Sequence, residues 1–216
     1  MSFDPAAAAS LAAREVRSGS RDGEVTKIVI ARRRYPASQA DLWDALTSPE
    51  RLPRWFLPVS GDLQTGGRYQ LQGNAGGVVE RCQPPESFAV TWEFGGTLSW
   101  LAVTLTPDGE HTVLELAHEA PVDPERWEQF GPGAVGVGWD LALMGLALHL
   151  ANGMAVDPQE AAAFTASPDG ADFIAAAAAG WGDAAAADGE DPAAAQRAAA
   201  RTAAFYTPAP GAGSGR

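Results

Sequence analysis

His118 is the residue of this sequence whose chemistry and position point most directly to a site. It lies near the end of residues 112–119, a segment whose loose alternation of polar and apolar residues is typical of a β-strand. Because successive side chains of a strand point to opposite faces, His118 shares the apolar face with Leu114 and Leu116, and this face should turn inward. An inward imidazole could orient a ligand or act as an acid or base near neutral pH. The alternative is a structural histidine that is hydrogen-bonded to a backbone carbonyl at the rim of the sheet.

Large aromatic residues are concentrated in the middle of the chain, where they could line a pocket. Six of the seven tryptophans lie between residues 43 and 139. Strand parity places Trp92 on an inward face, and Trp139 lies on the main apolar stripe of a long helix. The alternative is that these side chains only fill the core. The candidate ligand-binding residues are Trp55, Phe56, Trp92, His118, Trp139 and Leu143.

The composition argues against several other kinds of site. Three histidines and one cysteine, Cys82, offer no metal-ligand spacing, so we expect no metal and no cofactor. The sequence contains no GxSxG motif, P-loop or dinucleotide-binding fingerprint. The formal net charge of −12 argues against a nucleic-acid partner and against a membrane partner. A single cysteine and a first segment without a signal-peptide pattern favour a cytoplasmic location.

The elements that must position the candidate residues are predicted to be an antiparallel sheet and one long helix. Short apolar runs between residues 24 and 121 are separated by Gly-Gly, Pro-Pro and Pro-Asp-Gly turns, as in a β-meander, and two short helices interrupt them. Residues 131–153 predict a helix about 27 Å long that is apolar on nearly every side. Such a helix is normally buried, so the fold class is α+β. The small residues that open the helix should allow a close approach to the sheet.

The two ends of the chain differ in composition from the middle. Asp4-Pro5 predicts a helix that runs to about residue 17, followed by a linker rich in serine and glycine. The alanine-rich C-terminal part has weak helical periods and six large apolar residues, which favour helices docked on a neighbour. The predicted segments are 1–23 (helix and linker), 24–153 (main domain), 154–207 (helical extension) and 208–216 (disordered tail).

Two residues of the main domain should need a partner. Parity places Trp100 on the outer face of its strand, where the C-terminal helices or a second copy in a homodimer would cover it. Asp140 lies in the middle of the apolar helix, where an unpaired charge is costly. We expect it to face solvent or to pair with an arginine, for which the candidates are Arg32, Arg54 and Arg68.

Four stretches of the main domain carry a family pattern. They are DLWDALTSPERLPRWF (41–56), GDLQTGGRYQ (61–70), GGVVERCQPPESFAVTW (76–92) and the long apolar helix. Together they resemble the SRPBCC superfamily, the START-like or helix-grip group, in its branch named after the activator of heat shock protein 90 ATPase. The resemblance covers about residues 24–153. Its most specific markers are Trp43, the Ser-Pro-Glu turn before Trp55-Phe56, Gly66-Gly67, Pro84-Pro85 and Thr91-Trp92.

The resemblance implies a six- or seven-stranded antiparallel sheet wrapped around the long helix, with a hydrophobic cavity between them. Members of the family bind lipids, sterols, polyketides or other apolar molecules, and some catalyse cyclisation or dehydration. The leading hypothesis is therefore a module that binds a small apolar molecule, either a lipid, a polyketide or an aromatic metabolite. Two alternatives stay open. One is a cyclase- or hydratase-like enzyme that uses His118, and the other is a protein-interaction module, either cochaperone-like or a homodimer.

Overall fold

The computed structural model describes residues 4–207 and has an antiparallel sheet as its main element. The sheet contains eight strands in the order β1-β2-β8-β7-β6-β5-β4-β3, and helices cover its concave face. The strands are β1 (Ala12–Arg21), β2 (Glu24–Tyr35), β3 (Val59–Gly61), β4 (Arg68–Leu71), β5 (Gly76–Gln83), β6 (Ser87–Phe94), β7 (Thr97–Asp108) and β8 (His111–Pro121). The helices are α1 (Pro5–Ser10), α2 (Gln39–Thr47), α3 (Pro124–Phe130), α4 (Gly133–Asn152), α5 (Pro158–Thr165), α6 (Pro168–Ala187) and α7 (Pro192–Tyr206), with a short 3-10 helix at Leu52–Arg54.

The α+β class, the helix-grip arrangement and the helical C-terminal extension are confirmed, whereas the expected strand count was too low. The strands expected from the sequence leave out the short β3 and also β1, which pairs with β2 from Ala12↔Arg33 to Arg21↔Glu24. The helix expected to reach residue 17 ends at Ser10, and the expected linker is the end of β1 and its turn. The reason is Asp22-Gly23, whose positive φ angles of 52° and 86° form the two-residue turn that closes a right-twisted hairpin.

Helix α4 is held against the concave face of the sheet by buried apolar side chains and one buried hydrogen bond. Val137, Leu143 and Leu146 are at most 2% exposed. The Tyr35 hydroxyl of β2 donates to the backbone carbonyl of Leu143 over 2.9 Å. Among the described residues, α4 is the one helix whose length and composition would suit a membrane span. Its position between the sheet and α6 is that of a core helix in a soluble domain.

The C-terminal extension, residues 158–206, docks on its own chain. Helix α6 packs on α1, β1 and α4, and α7 packs on α6 and α3. Phe173, Ile174 and Trp181 of α6 are at most 1% exposed, so the large apolar residues of the extension contribute to the core. The predicted boundaries between segments stay predictions, and residues 208–216 of the expected tail lie outside the described part of the chain.

Small residues at the start of α4 accommodate the extension, which corrects the expectation that they serve contact with the sheet. A β-carbon at Gly136 would lie 2.2 Å from the Trp181 ring, and one at Gly133 would lie 2.9 Å from the Thr202 side chain. Both neighbours belong to the extension. Gly136 and Gly133 therefore let α6 and α7 approach the backbone of α4.

The structure also corrects the partners expected for Asp140 and Trp100. Asp140 pairs with Arg14 of β1, whose Nε donates to Oδ2 over 3.0 Å, and the Trp181 indole donates to the same oxygen over 2.8 Å. Burial raises the pKa of Asp140, and the Arg14 charge opposes this effect. Trp100 lies on the convex face under the Arg21 guanidinium, whose carbon is 4.1 Å from the ring centroid. Both partners come from β1, the strand that was expected to be helix and linker.

Candidate ligand-binding site

An apolar cavity of about 160 Å³ lies between the concave face of the sheet, α2 with the segment that follows it, and α4. We call it the inner cavity. Strand parity places the inward side chains of β4 to β8 around it, and Trp139, Ala142 and Leu143 of α4 lie on the side opposite the sheet. Its lining consists of Leu46, Thr47, Leu52, Trp55, Phe56, Val59, Leu63, Tyr69, Leu71, Val79, Cys82, Phe88, Val90, Trp92, Leu101, Val103, Leu114, Leu116, Trp139, Ala142 and Leu143.

Five of the six candidate ligand-binding residues line this cavity, and His118 does not. The five are Trp55, Phe56, Trp92, Trp139 and Leu143. The candidate residues predicted from the sequence did not include Cys82, which faces the cavity together with Val79 because the pairing of β5 shifts between Val79 and Arg81. That irregularity changes which side chains face inward, so a simple alternation along β5 would not have found Cys82.

Four aromatic rings form a continuous row along one wall of the inner cavity. Trp55 stacks on Phe56 with 5.5 Å between centroids, and Phe56 stacks on Trp139 at 6.2 Å. Trp139 meets Trp92 edge to face at 5.3 Å. The Trp55 indole donates to the backbone carbonyl of Ala45, which fixes its orientation at the end of α2. The row gives the cavity a wall of flat, weakly polar surfaces.

Most polar side-chain atoms in the inner cavity are already engaged within the protein, and the exceptions are the Cys82 thiol and the Trp92 indole N–H. The Tyr69 hydroxyl donates to the carbonyl of Thr91 over 2.8 Å. The Thr47 hydroxyl donates to the carbonyl of Trp43, also over 2.8 Å. Cys82 is half-buried and carries a free thiol. The cavity therefore offers an occupant apolar contact and little hydrogen bonding.

His118 faces inward, as predicted, but it lies beyond Trp92 and Trp139 and is fully hydrogen-bonded. The Trp139 indole donates to Nδ1 over 3.1 Å, and Nε2 lies 2.9 Å from the Ser99 hydroxyl. Since an indole nitrogen can only donate, Nδ1 is unprotonated and Nε2 carries the hydrogen that Ser99 accepts. The Ser99 hydroxyl in turn donates to the carbonyl of Trp92. Burial lowers the pKa of His118 to about 4, so the ring is neutral at physiological pH.

The described residues contain no cluster of three or more histidine, cysteine or acidic side chains that could hold a metal ion. His149 is also buried, but it closes the end of α4. Its Nδ1 lies 2.7 Å from the carbonyl of Met154 and its Nε2 lies 3.4 Å from the Arg51 guanidinium. Both contacts are structural, because they join the last turn of α4 to the chain that leaves it and to the segment after α2.

The curved sheet, the long helix and the apolar cavity between them define a helix-grip domain. Residues 36–151 match the family model described as Activator of Hsp90 ATPase homolog 1-like protein. The chain belongs to this family, within the SRPBCC group, as the sequence resemblance predicted. The match leaves out the β1–β2 hairpin and the C-terminal extension. No curated protein matches the chain.

Three solved structures are similar to this chain. The solution structure of CalU16 from Micromonospora echinospora has 28% sequence identity and a TM-score of 0.68, and the match covers 82% of this chain and 96% of that one. The crystal structure of CalU16 has 33% identity and a TM-score of 0.58, over 66% and 87% of the two chains. DynU16, a protein of the dynemicin biosynthetic locus, has 25% identity and a TM-score of 0.53. That match covers 59% of this chain and 48% of DynU16.

Proposed function

We propose that the protein binds a small, neutral, apolar molecule in the inner cavity. The observation that carries this proposal is an almost wholly apolar pocket of about 160 Å³ between the sheet, α2 and α4. Without a ligand, the apolar side chains that line the pocket lose contact with neighbouring atoms, and water that enters the pocket finds few hydrogen-bond partners there. An apolar cavity of about 150 Å³ is large enough for a benzene-sized molecule. A ligand would therefore recover packing energy that the protein forgoes when the cavity is empty.

The lining restricts the chemical class of the ligand. Charged groups are unsuited to the cavity, because an ion without a partner would lose its hydration there. The row from Trp55 to Trp139 favours a flat ring over a flexible chain, since stacked rings give contact with little loss of conformational freedom. The likeness to DynU16, a protein of a biosynthetic locus, also favours a biosynthetic metabolite as the ligand. We place the protein in the cytoplasm, with no nucleic-acid or membrane partner.

Catalysis through His118 is not part of the proposal. An acid or base must reach the atom whose proton it transfers, and His118 is separated from the inner cavity by Trp92 and Trp139. Its low pKa also keeps it from accepting a proton near neutral pH. Arg21 covers Trp100, so the outer face of that strand gives no specific support for a homodimer. A binding module is thus the function that the geometry supports best.

Cys82 provides a direct test, because it is the only cysteine of the chain and lines the inner cavity. The rate at which its thiol reacts with a disulfide reagent should fall severalfold in the presence of toluene or naphthalene. Benzoate, which has the size of toluene and a charge, should give no protection. Native mass spectrometry with the same probes should detect a 1:1 complex with the neutral molecules.

Variants that fill the cavity complete the test. Ala142→Phe on α4 should remove the protection of Cys82 by toluene, and Leu101→Phe on β7 offers the same change from the sheet. A far-UV circular dichroism spectrum and a cooperative thermal transition would show that each variant folds. Equal protection by toluene and benzoate would overturn the proposal, and so would protection that survives in a folded Ala142→Phe variant.

A further inference from the structure

A second cavity, of about 260 Å³, continues the concave face beyond the inner cavity. We call it the outer chamber. Along β6, β7 and β8 the inward side chains run from the inner cavity past Trp92, Ser99 and His118 to Phe94, Thr97 and Ala120. The chamber is lined by Lys27, Val29, Trp92, Phe94, Thr97, Ser99, His118, Ala120, Pro121, Val122, Asp123, Arg126, Trp127, Gly131, Pro132, Ala134 and Val135. Phe94 and Val135 are 55% and 37% exposed, so this lining reaches solvent.

A partition made of Trp92, Ser99, His118 and Trp139 separates the two spaces. Trp92 lines both of them, Trp139 lines only the inner cavity, and His118 and Ser99 line only the outer chamber. The three rings pack edge to face, with Trp92 at 5.8 Å and Trp139 at 5.9 Å from His118. The hydrogen bonds from Trp139 to His118 and from His118 to Ser99 hold the partition together. The two cavities are therefore distinct spaces with a common wall.

The outer chamber combines aromatic surface with hydrogen-bonding groups, in contrast to the inner cavity. Trp92, Phe94 and Trp127 contribute rings, while Thr97 and Arg126 contribute polar groups that can bond to a ligand. Within residues 4–207, Arg126 has no ion-pair partner, and it is exposed at the edge of the chamber. A few polar groups in a mostly apolar pocket are the usual means by which a protein orients a small molecule.

The charges around the outer chamber offset one another. Lys27 lies 2.7 Å from Asp188 and 3.2 Å from Glu190, so its charge is already matched by carboxylates of the extension. Asp123 caps α3 by accepting from the backbone N–H groups of Glu125 and Arg126, and it adds a further carboxylate to the lining of the chamber. The two cationic groups are thus accompanied by three carboxylates, so no positive charge is left over to hold an anion, and the chamber favours a neutral ligand. Oxygen atoms on that ligand could accept from Arg126 and exchange hydrogen bonds with Thr97.

The extension fastens the wall of the outer chamber formed by α3 and the start of α4. The Trp127 indole donates to Glu190 over 3.1 Å. The Thr202 hydroxyl donates to the carbonyl of Phe130 over 2.9 Å, and the Tyr206 hydroxyl donates to the carbonyl of Ala134 over 3.0 Å. Since the family match ends at residue 151, this support is an addition to the family domain.

We propose that the outer chamber is a second binding site, for a neutral aromatic ring that carries a hydroxyl or carbonyl oxygen. The ring would lie among Trp92, Phe94 and Trp127, with its oxygen directed to Arg126 or Thr97. The site does not depend on occupation of the inner cavity, because the partition separates them. The α6–α7 extension is then part of a ligand-binding site as well as a structural addition.

Two aromatic probes that differ by one oxygen test this site. 2-Naphthol should shift the imidazole resonances of His118, one of three histidines in the chain, in a titration followed by NMR. Naphthalene, which lacks the hydroxyl, should bind the outer chamber at least about tenfold more weakly. The His118→Gln variant identifies the resonance. The reaction rate of Cys82, measured in the same samples, reports the inner cavity separately.

Two substitutions on one helix serve as the matched pair of variants. Ala134 lines the outer chamber and Ala142 lines the inner cavity, two turns further along α4. Ala134→Phe should weaken the binding of 2-naphthol at least about tenfold, and Ala142→Phe should leave the His118 shift unchanged. If Ala134→Phe fails to fold, Ala120→Leu fills the same chamber from β8.

Each outcome decides the proposal. A His118 shift that is lost in Ala134→Phe and kept in Ala142→Phe supports a second site. The absence of a shift with 2-naphthol, or equal shifts with both probes, overturns it. Loss of the shift in both variants also overturns it, since that would mean one shared space. Protection of Cys82 without any His118 shift would leave the inner cavity as a binding site and remove the outer one.

Discussion

The Trp139 indole donates a hydrogen bond to Nδ1 of His118 over 3.1 Å, and this contact ties the long helix to the sheet. It determines the tautomer of the imidazole, because the indole has no lone pair to offer in return. His118 must then donate through Nε2 to Ser99, which donates to the carbonyl of Trp92. The buried polar groups of the partition are thus joined by a series of hydrogen bonds in which each group donates to the next, from Trp139 through His118 and Ser99 to the carbonyl of Trp92. We expect this series of hydrogen bonds to stabilise the fold, so that its disruption changes the free energy of unfolding and the pKa of His118.

The first prediction concerns the dependence of stability on pH. The pKa of His118 falls from 6.5 to about 4 on folding, because burial disfavours the charged ring. The unfolded chain therefore takes up a proton near pH 6.5, whereas the native protein takes it up only near pH 4. The contribution of His118 to the free energy of unfolding is complete above about pH 6.5 and should fall by about 3 kcal/mol as the pH drops through this window.

The control for this prediction is His118→Gln, whose amide can accept from Trp139 and donate to Ser99 without titrating. Urea unfolding of both proteins between about pH 7 and about pH 4 gives the difference that belongs to His118, since other groups titrate in both. The native protein should lose about 3 kcal/mol more than the variant. Parallel pH profiles would contradict a buried, neutral His118.

The second prediction concerns the indole hydrogen bond itself. Trp139→Phe removes the donor and leaves Nδ1 of His118 as a buried acceptor without a partner. We expect a loss of about 1–3 kcal/mol in the free energy of unfolding, and a rise in the pKa of His118, because the neutral ring loses a hydrogen bond. An NMR titration of the imidazole measures the second effect.

Trp92→Phe is the matched control, since Trp92 packs on the same imidazole edge to face and leaves the bond from Trp139 intact. It should lower stability through lost packing and change the pKa of His118 less than Trp139→Phe does. Equal pKa changes in the two variants would show that packing, rather than the hydrogen bond, controls the imidazole.

Local patterns explain which parts of the molecule could be predicted from the sequence. The alternation in β8 placed His118 inward, and the turn pattern and apolar helix predicted the class of fold. The partners of His118 depend on pairings between distant segments, which no local period contains. Asp22-Gly23 is a hairpin signal in the sequence, but the alanine-rich start before it favours a helix, and the prediction of a helix and a linker there is wrong. That error concealed β1 and therefore Arg14 and Arg21, the partners of Asp140 and Trp100.

The third prediction concerns the buried ion pair of Arg14 and Asp140, whose side chains are 8% and 1% exposed. Asp140→Ala should cost about 3–5 kcal/mol of stability, since it leaves the Arg14 charge buried without a counterion. Arg14→Met combined with Asp140→Ala should cost less than the sum of the single changes, because neither charge then remains. Denaturant unfolding of the four proteins of the cycle gives the coupling. Additive losses would mean that the pair contributes nothing specific.

The fourth prediction concerns Gly136, the point where the extension comes closest to α4. A β-carbon there would lie 2.2 Å from the Trp181 ring, so Gly136→Ala must displace an indole that is 1% exposed and bonded to Asp140. The higher helix propensity of alanine should add up to about 1 kcal/mol to the free energy of unfolding. Overpacking should remove about 1–3 kcal/mol, and the broken hydrogen bond to Asp140 should remove more, so the variant should be less stable. The rate of amide hydrogen exchange should therefore increase more in residues 158–206 than in the strands of the sheet.

Gly138→Ala is the control for this prediction. Its β-carbon meets only the end of the Tyr206 side chain, at 3.2 Å, so the variant should keep the amides of the extension protected. Equal protection of the extension in both variants would contradict the close approach of Trp181 to α4.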